Sequence, residues 1–232
     1  MDKNDFDGLY HKGENIIAES TGETAKKVTE LLSIKYKDEF SITRLGNRIN
    51  TENVDVYAKS KTKKDIVFKA RINLETLELR DNYIERIVGL KFSDILNSAL
   101  DKNGIKADSR FTFSSDTSEE YDTDITVEEF LDIYKAETAF VFLVISKESL
   151  NKSTAEKLVD VLCRLSEKYG FKVVINGYVY SENYKKTVEE LKEDPDPKET
   201  RFTKNNPDNK IAFAIKDGKP NVDILSIKKM LK

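Results

Sequence analysis

The most hydrophobic stretch of the chain is Ala139-Phe140-Val141-Phe142-Leu143-Val144-Ile145. An apolar run with no polar alternation predicts a strand covered on both faces. Ser153-x-x-Glu156 follows with the form of a capping box, in which hydroxyl and carboxylate each accept a free N–H at a helix start. Ala155, Leu158, Val159, Leu162, Leu165 and Tyr169 then recur at helical spacing, and Gly170 stands where a left-handed cap belongs. Phe171 to Tyr180 is a second β-rich run. A connection this long, containing a helix, suits a βαβ crossover between parallel strands. A helix packed across two antiparallel strands would carry the same pattern.

Upstream, Ala25, Val28, Leu31, Leu32 and Tyr36 give a helix one apolar face, with Thr21-x-x-Thr24 as its start signal. Phe40, Ile42 and Leu45 alternate with polar residues, as do Val54, Val56 and Ala58, and Ile66 to Leu74 supplies a third strand. Gly46-Asn47 and the polar stretch Lys59 to Lys64 separate them, so the pattern predicts a three-stranded antiparallel meander. After a cap at Asp81 or Asn82, a broad stripe from Tyr83 to Leu100 predicts a long helix that Gly104 ends. Residues 1–20 read as a polar tail and residues 21–104 as an α-βββ-α lobe, both helices on one face of its sheet.

Residues 105–232 form a second lobe, a mixed sheet built on the βαβ unit with flanking helices. Phe111 and Phe113 mark a strand, and Thr126-x-x-Glu129 caps a short helix. A helix with Tyr184, Val188 and Leu191 ends at Asp194-Pro195-Asp196-Pro197, and a polar loop runs from Lys198 to Asn209. Ile211, Phe213 and Ile215 alternate as a strand, Asp217-Gly218 is a turn, and Ile224 to Leu231 is a terminal helix. The fold class is α+β in two lobes, with the boundary at residues 104–124.

Composition narrows the function classes. A net charge of −3 gives no general attraction to nucleic acid or an anionic membrane. With Cys163 the only cysteine, neither an intramolecular disulfide nor a cysteine metal cluster can form, and its place on an apolar helix reads as an inert buried thiol. No run approaches the ~20 apolar residues of a membrane span. The first residues carry no basic-then-apolar signal, which points to the cytoplasm, or to the cell envelope if an export signal has been removed. His11, the only histidine, lies in the polar tail, and no G-x-S-x-G, G-x-x-x-x-G-K-[ST] or G-x-G-x-x-G occurs. No catalytic residue and no cofactor is expected.

Three surface groups remain as candidates. Lys59, Lys61, Lys63 and Lys64 form the strongest basic patch, which could meet phosphates but equally solvates a hairpin tip and protects an edge from pairing. Asp116, Glu119, Glu120, Asp122 and Asp124 could attract calcium, yet an EF-hand loop started at Asp122 puts Val127 at the glycine position and Ile133 at the bidentate glutamate position. Tyr178 and Tyr180 share one strand face, and with Tyr184 they make an expected protein-contact surface.

Lys35-Tyr36-Lys37-Asp38-Glu39-Phe40, Gly46-Asn47-Arg48 and Asp81-Asn82-Tyr83-Ile84 resemble a pattern found in uncharacterised small α+β proteins of low-GC Gram-positive bacteria, covering about residues 35–90. A ratio of 31 Lys to 8 Arg fits an AT-rich genome. Such proteins are often predicted lipoproteins, so the resemblance implies an envelope location, although no lipid-attachment cysteine lies near Met1. The reading this supports is a non-enzymatic binding or accessory protein whose partner is another protein. The alternative is a metal-dependent or carboxylate-based hydrolase, followed by a nucleic-acid-binding module using Lys59–Lys64. The oligomeric state is left open.

Overall fold

Alternation along Val54, Val56 and Ala58 is used to bury one face of an antiparallel sheet. The computed structural model describes residues 22–46, 52–63, 66–115, 117, 119–120, 122–194 and 202–232. The chain divides into two compact units, Met1–Asp81 and Asn82–Lys232.

In the first unit, β1 (Phe40–Leu45), β2 (Asn53–Ser60), β3 (Val67–Asn73) and β4 (Leu79–Asp81) pair in chain order, all antiparallel. The fourth strand adds to the meander expected from the pattern. The amide N–H groups of Glu75 and Thr76 donate to Asn73 Oδ1, and Leu77 takes a left-handed φ of 61°, so the turn forms without glycine or proline. Helix α1, described over residues 22–36, buries Thr24, Val28, Leu32 and Tyr36, every fourth residue. The Tyr36 ring meets Phe40 edge-on, and Phe40 meets Phe68. Tyr36 Oη donates to Asp81 Oδ1 at 2.6 Å and Lys35 Nζ to Oδ2 at 2.9 Å, fastening α1 to β4. The expected tail, residues 1–20, and Thr21 lie outside the described residues.

The second unit begins earlier than the expected boundary at residues 104–124. Helix α2 (Tyr83–Lys102) starts at Asn82, ends beside Gly104 at φ 74°, and packs on β5 (Ala107–Phe113) of the second sheet. A Cβ on Gly89 would stand 2.6 Å from the Phe111 carbonyl oxygen, so helix and strand approach as only glycine permits. Periodicity describes a helix's apolar stripe but not which sheet receives it.

β5 is followed by α3 (Val127–Tyr134), β6 (Thr138–Ser146), α4 (Thr154–Tyr169), β7 (Lys172–Tyr180), α5 (Tyr184–Glu193), β8 (Asn209–Lys216), β9 (Lys219–Pro220) and α6 (Ile224–Met230). The five strands lie in chain order, with β6 and β7 parallel and every other pair antiparallel. The βαβ unit is therefore β6–α4–β7. On one face Phe92 of α2 lies within 5.4 Å, ring centre to ring centre, of Phe111, Phe113 and Phe171. Such pairs add about 0.5–1.5 kcal/mol each beyond the area they bury. The other face carries a smaller core of Val144, Tyr178, Tyr180, Val188, Leu191 and Phe202.

Coverage of both faces of β6 is confined to its carboxyl half. Leu143, Val144 and Ile145 are buried, whereas Phe140 is 37 % exposed and Phe142 half buried. The Thr126–Glu129 capping box forms as expected. The Ser153–Glu156 box does not: Ser153 donates from both N and Oγ to Asn151 Oδ1, and Glu156 pairs with Lys228 of α6.

Candidate functional site

The register of β7 turns Tyr178 and Tyr180 toward α5, where both are buried. Tyr178 stacks on Phe202 at 5.0 Å, and Tyr180 Oη donates to the Phe202 carbonyl at 2.7 Å. Burial pushes the Tyr180 hydroxyl up to about 12. Expected as an exposed face, this pair is instead core. The cover comes from α5 and from Phe202, more than twenty residues downstream, which no local pattern reveals. Tyr184 alone of the three reaches the surface; its hydroxyl donates to Asp108 Oδ2 at 2.7 Å, and burial together with that bond raises its pKa.

The lysine tip is partly neutralised. Lys61 pairs with Glu39 at 3.1 Å, and Asp38 Oδ2 accepts from Ser60 and Thr62 at 2.8 Å each. Lys59 is half buried on β2, the Lys63 amide donates to Ser60 Oγ, and Lys64 lies outside the described residues. In the acidic loop, Glu120 accepts from Tyr134 Oη and from the Asp122 amide, while Asp122 accepts from the Asp124 amide. Glu119 is exposed, and Asp116 lies outside the described residues. Among the described residues no three His, Cys, Asp or Glu side chains converge as a metal shell. The lysine tip belongs to the first unit, the acidic loop and the tyrosines to the second.

Two hollows of the second unit carry residues that the sequence did not single out. The first is a groove of about 320 Å³ between α2 and α4. Ile95, Ala99, Val161, Leu165 and Tyr169 give it an apolar floor, and Lys102, Asp160, Arg164 and Lys168 rim it. Ile95 is 38 % exposed in that floor. Arg164 pairs with Asp160 at 2.9 Å, which leaves the rim with the charge of two lysines.

The second hollow, about 380 Å³, lies at the carboxyl ends of the parallel strands β6 and β7. It is lined by Lys106, Ser146, Glu148, Ser181, Asn183, Tyr184, Lys185 and Lys186. Beside it Asp208 accepts from the Ser181 amide at 2.5 Å and from Lys147 at 3.2 Å, and these bonds hold its carboxyl below the usual range. The one available sequence signal was Lys185-Lys186 in the first turn of a helix, where the helix dipole disfavours cations.

Elsewhere in the unit, buried charges serve as fastenings. The Phe113 amide donates to Glu85 Oε1 at 2.9 Å, joining α2 to β5, and Arg110 Nη1 donates to the Leu191 carbonyl at 3.2 Å, joining β5 to α5. Burial raises the Glu85 pKa and brings Arg86 down to about 10, with each charge opposing the shift of the other. Among the described residues no helix is long and apolar enough to cross a membrane.

No family model matches the chain, and no curated protein matches it. The crystal structure of a DUF5037 family protein from Ruminococcus gnavus ATCC 29149 is similar in fold, with a TM-score of 0.64 over 90 % of this chain and 98 % of that one, at 14 % identity. The likeness extends to the α+β architecture and no further.

Proposed function

We propose that the protein is a non-enzymatic binding or accessory protein that works by contact with another protein, and that the α2–α4 groove is its contact surface. The observation that carries the reading is an apolar floor, with Ile95 left 38 % exposed, inside a charged rim. Contact surfaces have that anatomy, and a groove between two helices accepts an amphipathic segment with anchors at i, i+3, i+4 and i+7. The two rim lysines left over, Lys102 and Lys168, select a segment with acidic flanks.

The hydrolase alternative has less support. The α2–α4 groove carries one carboxylate, Asp160, and the strand-end hollow one, Glu148, whereas glycoside hydrolysis by paired carboxylates needs two that converge. Burial, Glu167 and Asp160 all push the Cys163 thiol up, away from reactive thiolate, so it gives a hydrolase no nucleophile.

The test is selection of a displayed library of 16-residue peptides against the whole chain, then measurement of the winners on Ile95→Glu. Peptides with acidic flanks and helical apolar spacing should win and lose at least about tenfold in affinity on the variant. Winners that bind Ile95→Glu as tightly as the parent would remove the groove as the contact surface.

A further inference from the structure

We propose that the hollow at the carboxyl ends of β6 and β7 binds a phosphate group, free or as a small-molecule monoester. Ser146, the last residue of β6, lines it on the α5 side of the sheet; the residue is only 4 % exposed, and its hydroxyl has no hydrogen-bond partner among the described residues. The oxygen is not sealed from solvent, so it opens on the hollow as a donor free for a ligand.

Independently, α5 starts without a side-chain cap. Asn183 takes a left-handed φ of 59°, and the amides of Tyr184, Lys185 and Lys186 meet no acceptor among the described residues. Helix starts usually carry acidic residues, which the dipole favours; this first turn has none and presents two lysines instead. That arrangement disfavours the isolated helix and is relieved by an anion seated against the amides. Lys106 enters from the start of β5, its Nζ 5.2 Å from the Tyr184 ring centre. Three lysines against the single carboxylate of Glu148 leave the lining with a net charge of +2. A dianion answers both that charge and the number of donors, and the ~300–1,000 Å³ typical of small-ligand sites includes this hollow. Carboxyl ends of parallel strands are also where open sheets generally place ligands.

The experiment is calorimetric titration of the whole chain with inorganic phosphate and, separately, glycerol phosphate, each against chloride at matched ionic strength. Saturable binding of phosphate is expected, weakened at least about tenfold in the double variant Lys185→Gln/Lys186→Gln and again in Ser146→Ala, with Lys102→Gln unchanged. Circular dichroism confirms that the variants fold. A monoester that binds tighter than inorganic phosphate assigns a phosphorylated metabolite; equal affinity assigns free phosphate. Binding no stronger than chloride, or unaltered in the double variant, overturns the proposal.

Discussion

Asp55 faces Arg71 directly across β2 and β3, at 2.6 Å, and Lys69 reaches the same carboxylate at 2.9 Å. The hydrogen bond from Arg71 holds the Asp55 carboxyl below its ordinary 3.8, although partial burial opposes it. The folded state therefore favours the ionised form. Its contribution to stability is complete above the unfolded value and is lost as pH falls through the lower folded one. Asp55→Asn should flatten the acid limb of stability below about pH 4; denaturant midpoints measured from pH 2 to 6 would show the parent and variant curves converging at the acid end. Leu143, fully buried at the middle of β6, is a harsher site. An unpaired carboxylate there is among the mechanisms that cost about 4 kcal/mol or more, so Leu143→Asp should leave no cooperative urea transition for the second unit. Lys61→Asp loses only an exposed pair with Glu39 and should shift stability by less than about 1 kcal/mol. Equal midpoints for these two variants would contradict the placement of β6 at the core.

Helix α2 depends on one small residue. With the Phe111 carbonyl 2.6 Å from where a Cβ would stand, Gly89→Ala must push helix and strand apart, backbone against backbone. Overpacking of this kind costs about 1–3 kcal/mol, even though alanine is the better helix former. A midpoint at or above that of the parent would show that the contact yields. The same helix shows what local pattern can reveal. Its existence, its end at Gly104 and its apolar stripe were all legible from Tyr83 to Leu100, because each is set within a few residues. Its partner was not, since β5 and the first sheet offer apolar faces of the same kind. Ser153 makes the point at smaller scale: the sequence of a capping box is present, but Asn151 captures the serine and Lys228 the glutamate. Thr126 and Glu129, with no such competitors, close their box at 2.9 and 3.2 Å. The strand-end hollow escaped notice for a related reason, because Lys106, Ser146 and Lys186 meet only after three strands have aligned.

At the scale of the whole chain, the α+β class follows from strand and helix alternation, whereas the parallel pairing of β6 with β7 is one of the two arrangements that pattern allows; the structural likeness to a protein 14 % identical shows that this architecture tolerates wide sequence change. The buried state of Tyr178 and Tyr180 did not follow, because Phe202 returns from the far side of a long connection to cover them. In both sheets the strands stand in chain order, β1 to β4 and β5 to β9. That ordering bears on how the molecule is made. A chain leaving the ribosome adds each new strand to the edge completed just before it, so no early segment waits for a distant partner. Each sheet grows from a single live edge, and the pairing edge of the apolar β6 is left open only while α4 and β7 are being synthesised. Cotranslational folding should therefore proceed in steps, seen as successive force maxima in arrest-peptide profiles as β3, β7 and β8 clear the exit tunnel. One late maximum would mean that the chain instead collapses as a whole after release. Stepwise assembly would leave a charged, half-finished protein little opportunity to pair its strands with those of its neighbours on the same message.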